Sequence, residues 1–222
     1  RQWPLAAPKP WSKRMAGPCS GPRTRQWQDQ PFQRQRPWSP QAAVWLEVVV
    51  KALANPNPHY REGAAELLLG GGFFRRDSRP ARDCSVLLAW NQARTTTREQ
   101  PLQWLDLMAG CGIRGLRWGL EAASARPVPV EILVNDADGD RRPLLEHNLR
   151  PVAAATCSSV SAERLLCQAQ LEGRRFDLID LDAFGHPGAL IQPVLQALGP
   201  DGILVLASTD GRSPTGHDRP GA

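Results

Sequence analysis

The residues best suited to chemistry follow a short apolar segment, Phe176–Leu181, late in the sequence. If this segment is a strand of a parallel sheet, Asp182 is the acid nearest its carboxyl end, where ligands of such sheets bind. A carboxylate there can accept a hydrogen bond from an exocyclic amine and take its proton as the nitrogen acquires a methyl group. Phe184 can stack on a base. These residues indicate chemistry on the amino group of a nucleobase.

A second candidate site is a glycine-rich segment that follows another apolar run. Gly110, Gly112 and Gly115 have the G-x-G-x-x-G spacing, which permits a tight turn and a close approach to a ligand at a helix N-terminus. About 20 residues later, Asp136 ends the next predicted strand, where its carboxylate can bond a ribose diol. By itself this fingerprint is also typical of NAD(P)-dependent oxidoreductases, which remain an alternative.

Asp106, inside the strand that precedes the glycines, helps to distinguish a dinucleotide cofactor from a methyl-donating one. A carboxylate at this place repels a pyrophosphate, because both carry negative charge. It suits a ligand with an ammonium group and a cationic sulfonium. The cofactor that Asp106 favours is therefore S-adenosyl-L-methionine.

These residues need a parallel sheet to bring them together, and the sequence predicts one. Apolar runs typical of strands alternate with segments typical of helices, which indicates βαβ units with helices on both faces of the sheet. We expect an α/β fold with a Rossmann-like sheet whose last strands are missing. The predicted strands are Leu102–Met108, Val128–Val134, Thr156–Val160, Phe176–Leu181 and Gly202–Ala207. The predicted helices are Gly112–Ala123, Gly139–Leu149, Ala162–Leu171 and Ala189–Leu198.

Ahead of the predicted catalytic domain, 101–222, residues 41–100 are expected to form a smaller subdomain. The pattern predicts a helix, then a hairpin that turns at Gly70–Gly72, then a charged loop and a second helix. Their expected bounds are Gln41–Ala54, Arg61–Phe74, Arg75–Arg82 and Asp83–Ala93.

The net charge of +5 is unevenly distributed along the 222 residues. Residues 1–40 hold eight basic residues and one acid, a net +7, whereas residues 41–222 hold 19 basic and 21 acidic residues, a net −2. The first segment is rich in proline, arginine and tryptophan and has few aliphatic residues, so we expect a disordered tail. Such a tail can attract phosphate.

Composition excludes several classes of protein. No apolar run approaches the ~18 residues of a membrane span, and the first residues show no signal-peptide pattern. The five cysteines are far apart, without the spacing of a zinc site, so we expect no metal and reduced thiols in the cytoplasm. The sequence does not define an oligomeric state, and a monomer is the working expectation.

Several segments resemble, in the same order along the chain, the tRNA guanine-N2 dimethyltransferase family of S-adenosylmethionine-dependent enzymes. The segment DLDAFG at 180–185 is similar to the family's D-L-D-P-F-G motif, with Ala183 in place of proline. The others are FFRRDSRPARDCSV at 73–86, AGCGIRGLRWGLE at 109–121, VND at 134–136, SAERL at 161–165 and ASTDG at 207–211.

The resemblance implies a tRNA substrate and a role for each matching residue. Asp182 is implied to be catalytic, and Arg75 and Arg76, where the family has Asn-Pro, could meet RNA phosphate. The residues implied to contact the cofactor are Arg82, Arg114, Asp136 with the ribose, and the pair Ser161 and Ala162 with the adenine, where Ser161 replaces the family's aspartate. A third alternative is an inactive, truncated fragment that binds tRNA weakly or not at all, because the expected sheet is incomplete.

Overall fold

The computed structural model describes residues 59–125, 129–183 and 185–208. The predicted tail 1–40, the predicted helix Gln41–Ala54, Phe184 and the segment after Ser208 lie outside the described residues. Among the residues described, no helix is long and apolar enough to cross a membrane.

The described chain begins with a two-stranded antiparallel ribbon. Strand β1, His59–Glu62, pairs with β2, Ala65–Leu68, and Glu62 faces Ala65 across the turn. The predicted hairpin is therefore wrong in register, because the chain reverses at Gly63 and not at Gly70–Gly72. Gly63 has a φ of +58°, a conformation that costs glycine little, and this glycine directly follows the buried Glu62.

Helix α1, Arg79–Thr95, follows a short 3-10 turn, Arg76–Ser78. It begins four residues before the predicted start, so only the first part of the expected loop Arg75–Arg82 is a loop. Pro80 lies in the first turn, where a missing backbone N–H has no cost because that group would have no helical partner. The early start places Arg82 within the first helical turns.

Five parallel strands form the central sheet, in the order β5-β4-β3-β6-β7. This confirms the predicted α/β alternation, with shifts of a few residues at the strand ends. β7 is longer than predicted because pairing with β6 extends to both of its ends. The strands are β3 Leu102–Asp106, β4 Val130–Asn135, β5 Ala155–Ser158, β6 Phe176–Ala183 and β7 Leu198–Ser208.

Helices cover both faces of the sheet, as predicted. Successive strand residues such as Trp104 and Leu105 enter different cores, because side chains alternate across a strand. One core joins the sheet to the ribbon and to α1, α2 and α3, and the other joins it to α4 and α5. The remaining helices are α2 Ile113–Arg117, which continues through a π turn at Trp118–Ala122, α3 Arg142–Asn148, α4 Ala162–Leu171 and α5 Gly188–Ala197.

The described part of the expected 41–100 subdomain shares a hydrophobic core with the sheet. Leu67 of β2 and Ala89 of α1 belong to the same buried cluster as Trp104. The division at residue 100 stays a prediction, but the residues on either side of it pack as one body.

Candidate active site

The strand order brings the predicted acids to one edge of the sheet. β4, β3 and β6 are neighbours, and their carboxyl ends carry Asp136, Asp106 and Asp182. Backbone hydrogen bonds join the loop after β3 to both neighbouring strands. Leu107 N–H donates to Asp180 O of β6 at 3.0 Å, and Ala109 N–H donates to Asn135 O of β4 at 2.8 Å. The glycine turn is thus held between the two neighbouring strands.

Of the three motif glycines, Gly110 faces open space. Its φ is +59°, a Cβ there would meet nothing within 4 Å, and its N–H donates to Asp136 Oδ2 at 2.8 Å. Gly112, at the N-cap of α2 with φ +79°, would place a Cβ 2.9 Å from Leu145 Cδ2. A Cβ on Gly115 would lie 2.5 Å from Val134 Cγ2. Gly112 and Gly115 therefore allow internal packing, and Gly110 presents backbone to a ligand.

An open cleft lies beside the glycine turn and contains several predicted residues. Its walls come from the loop before α1, from the glycine turn with the start of α2, and from the end of β6. They include Phe73, Phe74, Arg75, Arg82, Met108, Ala109, Gly110, Cys111, Arg114, Asp182 and Ala183. Asp106, Asp136, Ser161 and Ala162 are not among its lining residues. Burial raises the pKa of the Cys111 thiol to about 11, so it is a neutral wall residue.

Arg114 links two acids of β6 to the glycine turn. Its Nε lies 3.1 Å from Asp180 Oδ2, and its Nη2 lies 2.7 Å from Asp182 Oδ2. Asp180 is fully buried, whereas 34% of the Asp182 side chain is exposed at the cleft. Burial alone would lower the pKa of Arg114, but the charges of Asp180, Asp106 and Asp182 outweigh it and raise that pKa. Arg114 therefore stays a cation that orients Asp182.

The sequence prediction missed the pairing of Arg114 with Asp180. Burial raises the pKa of Asp180, although Arg114 and a hydrogen bond from Ser85 oppose that effect. The alternation of acids in D-L-D was the available signal, because residues 180 and 182 must point to the same face of a strand.

Asp106 lies beneath the turn, buried, and its Oδ2 accepts the Gly115 N–H at 3.2 Å. Burial raises the pKa of Asp106 to about 7, and the charge of Asp180 adds to that effect while Arg114 opposes it. Its direct contact with a ligand ammonium group stays a prediction.

This buried carboxyl makes folding pH-dependent. An aspartate of the unfolded chain has a pKa of about 3.9, so the folded state binds a proton more tightly and loses stability as pH rises from about 4 through about 7. The amide oxygen of Asp106→Asn can still accept the Gly115 N–H. As pH rises from about 5 to about 8, we expect the free energy of unfolding of this variant to increase relative to that of wild type by on the order of 2 kcal/mol.

Urea midpoints of both proteins at the two pH values measure this gain. Glu163→Gln, at an exposed position of α4, is the control and should show no such pH-dependent difference. A difference between wild type and Asp106→Asn that stays constant with pH would contradict the assignment.

Arg82 is bonded mainly to another side chain. Its Nε and Nη2 donate to the two oxygens of Glu62 at 2.8 and 2.6 Å, and its nitrogens also reach the carbonyls of Arg75 and Arg76 at 3.0 and 3.3 Å. Its guanidinium lies 4.9 Å from the Phe74 ring centroid. Arg82 therefore positions the loop that forms one wall of the cleft, and its contact with a cofactor stays a prediction.

The other predicted contacts also stay predictions. Ser161 caps α4, where its Oγ accepts the Arg164 N–H at 3.3 Å, and Ala162 is buried beneath it. Arg75 lies at the cleft, whereas Arg76 stacks 5.3 Å from the Tyr60 ring centroid. No group of three or more His, Cys, Asp or Glu that could hold a metal ion occurs within the described ranges.

The profile of the N2,N2-dimethylguanosine tRNA methyltransferase family matches residues 72–220, more than half of the chain. The chain belongs to this family. The match confirms the resemblance seen in the motifs and contains every lining residue of the cleft.

Curated members of the dimethyltransferase family match a similar region. The chain is 32% identical over 115 residues to the tRNA (guanine(26)-N(2))-dimethyltransferase of Homo sapiens, covering 50% of this chain and 17% of that protein. It is 36% identical over 109 residues to the enzyme of the same name from Methanocorpusculum labreanum, covering 48% of this chain and 24% of that protein. The chain thus spans about a fifth of the length of these relatives.

Solved structures confirm the fold. The chain superposes with a TM-score of 0.53 on a SAM-dependent methyltransferase from Agrobacterium tumefaciens, at 17% identity over 66% of this chain and 50% of the other. A putative SAM-dependent methyltransferase from Streptococcus mutans gives a TM-score of 0.50 at 14% identity, over 68% and 41%. The Rossmann-like methyltransferase sheet predicted for this member of the N2,N2-dimethylguanosine family is therefore confirmed.

Proposed function

We propose that this chain catalyses methyl transfer from S-adenosyl-L-methionine to the exocyclic N2 of a guanosine in tRNA. The observation that carries the proposal is the Arg114–Asp182 pair, which presents a carboxylate at the end of β6 beside the glycine turn. Family membership supports a guanine amine as the acceptor. The names of the curated relatives support tRNA and guanosine 26.

The residues of the turn fit the cofactor. Gly110 has an open Cβ direction, so a ligand can approach its backbone, and the Asp136 carboxylate lies directly against it. The Asp136 carboxylate suits a ribose diol. Gly110 and Asp136 would hold the cofactor, and Gly112, Arg82, Ser161 and Ala162 remain predicted contacts. When bound, S-adenosylmethionine supplies an electrophilic methyl group on a sulfonium.

The chain's own residues act on the acceptor amine. Asp182 is exposed enough to accept a hydrogen bond from the N2 amine, which directs the nitrogen lone pair away from the carboxylate. As the new N–C bond forms, an N–H bond breaks and its proton passes to Asp182. Arg114 holds Asp182 in one orientation through its 2.7 Å contact, so positioning supplies part of the acceleration. Phe184 is proposed to stack on the guanine, and Arg75 and Arg76 to contact RNA phosphate.

The test is transfer of tritiated methyl groups from S-adenosylmethionine to an unmodified tRNA transcript with guanosine at position 26. We expect incorporation that nucleoside mass spectrometry identifies as N2-methylated guanosine. A transcript with adenosine at that position is the control and should stay unlabelled. No incorporation by folded protein would contradict the proposal and favour the inactive fragment. Calorimetric binding of NAD rather than S-adenosylmethionine would favour the oxidoreductase, which family membership does not support.

A further inference from the structure

Ser85 lies in the middle of a buried chain of polar contacts that the proposed mechanism leaves unused. This serine of α1 is fully buried, and its Oγ donates to Asp180 Oδ2 at 2.7 Å. The same Oγ accepts the indole N–H of Trp118 at 3.2 Å. Trp118 is itself buried, in the π turn that continues α2. The Ser85 hydroxyl therefore has one donor and one acceptor partner, which hold it in a single orientation.

The chain continues from Asp180 to the cleft. The oxygen that accepts from Ser85 is also the one 3.1 Å from Arg114 Nε, and Arg114 Nη2 contacts Asp182. The other oxygen, Asp180 Oδ1, is buried without a hydrogen-bond partner among the described residues. The Arg114 Nε likewise makes no well-aligned hydrogen bond there, so its link to Asp180 is mainly one of charge. The Ser85 hydroxyl therefore supplies a directional bond that helps to fix the Asp180 carboxylate.

The charges around Asp180 make this bond important. One cation, Arg114, faces three carboxyl groups, those of Asp106, Asp180 and Asp182. Burial and the charge of Asp182 both raise the pKa of Asp180, and Arg114 and the Ser85 hydroxyl are the groups that lower it. Without that hydroxyl, the neutral form of Asp180 becomes more populated, and a neutral carboxyl holds a guanidinium weakly.

We propose that Ser85 is a positioning residue for methyl transfer: its hydroxyl fixes the Asp180 carboxylate, which holds Arg114 and, through Arg114, Asp182. The inference rests on the proposed function because it assigns Asp182 the proton-accepting role. Ser85 does not line the cleft, and its hydroxyl bonds Asp180 and Trp118, so it acts through Asp180 and Arg114.

The kinetic test compares Ser85→Ala with wild type across pH. We expect kcat to fall about tenfold or more near neutral pH, and the acid limb of the kcat profile to move up by about one pH unit, with the affinity for S-adenosylmethionine unchanged. Ser85→Cys carries a weaker donor of similar size, so its kcat and its acid limb should lie between those of wild type and Ser85→Ala. An unchanged acid limb in a folded Ser85→Ala protein would overturn the proposal.

Gln92→Leu is the matched control on the same helix. Gln92 also joins α1 to β6, by donating to Asp177 O at 2.6 Å, and it also accepts from an indole, Trp104 Nε1, at 2.9 Å. It contacts no carboxylate at the cleft, so its loss should lower stability without moving the acid limb. A shift of equal size in this variant would show that loosening of α1 alone is the cause and would overturn the proposal.

A readout independent of turnover separates this inference from the proposed function. The ¹⁵N-labelled Arg114 Nε–H resonance of the full chain, without tRNA, should shift with pH as Asp180 titrates. In Ser85→Ala this transition should move to higher pH, and in Gln92→Leu it should stay in place. If the resonance changes at the same pH in wild type and in Ser85→Ala, the proposed role of Ser85 is overturned. If the change moves to higher pH as expected but the protein transfers no methyl group, only the proposed function is contradicted.

Discussion

Asp182→Asn should lower the methyl-transfer rate by about 10²–10⁴-fold, the usual contribution of a positioned base. The amide has the shape of the carboxylate and can still accept from Arg114, so the cleft should keep its geometry. It cannot take a proton from the guanine amine. The loss should therefore appear in kcat, with the dissociation constant for S-adenosylmethionine unchanged.

Single-turnover transfer of labelled methyl groups, together with calorimetric titration of S-adenosylmethionine, measures both quantities. Asp177→Asn is the matched control because Asp177 is a buried acid of the same strand, ion-paired with Arg98 and accepting the Gln103 N–H at 2.8 Å. It lies at the opposite end of β6, so its loss should reduce stability and leave transfer within a few-fold of wild type. Equal rates for Asp182→Asn and wild type would refute the role of Asp182.

Glu62→Ala should strongly destabilise the fold. The Glu62 carboxylate is buried and accepts four hydrogen bonds: one from the Tyr60 hydroxyl at 2.8 Å, two from Arg82 at 2.8 and 2.6 Å, and one from Arg117 at 2.8 Å. Its removal takes a negative charge from two buried guanidinium groups. Breaking such a buried pair costs about 3–5 kcal/mol, which corresponds to a fall in Tm on the order of 10 °C.

Urea unfolding and calorimetry measure this loss. The control is Glu131→Ala, since Glu131 is exposed and bonds the Gln103 side chain at 2.7 Å, and this change should stay within about 0.5 kcal/mol of wild type. A Glu62→Ala protein as stable as the control would show that the network contributes nothing to folding.

The same network predicts a dependence on pH. Burial alone would raise the pKa of Glu62, but hydrogen bonds from Arg82 and Tyr60, with the charges of Arg82 and Arg117, hold that pKa below its usual value. A lowered pKa in the folded state stabilises the protein above the unfolded value of about 4.3, and this contribution is lost as pH falls through the folded value. The stability difference between wild type and Glu62→Ala should therefore shrink below about pH 4.

Local pattern is enough to predict the sheet and the placement of several residues of the candidate site. β3, β4 and β6 are short apolar runs, and parallel order follows because a helix separates each pair of strands. Gly110, Asp136 and Asp182 were predicted because residues after parallel strands share one edge of the sheet. The pattern does not distinguish a turn at Gly63 from one at Gly70, because both positions hold glycine, and the buried bond of Glu62 with Arg82 beside Gly63 is visible only in the structure.

The α/β class, the family, the glycine turn and the acid at the end of β6 are all readable from the amino-acid sequence. These features depend on residue types and short spacings, which are local and readable in one dimension. Three features become visible only in the folded protein: Arg82 is bonded to Glu62, Asp106 is buried, and Ser85, Asp180 and Arg114 form one chain to Asp182. Ser85 and Asp180 are 95 residues apart, and such pairs meet only when helix packing selects which polar groups share a buried space.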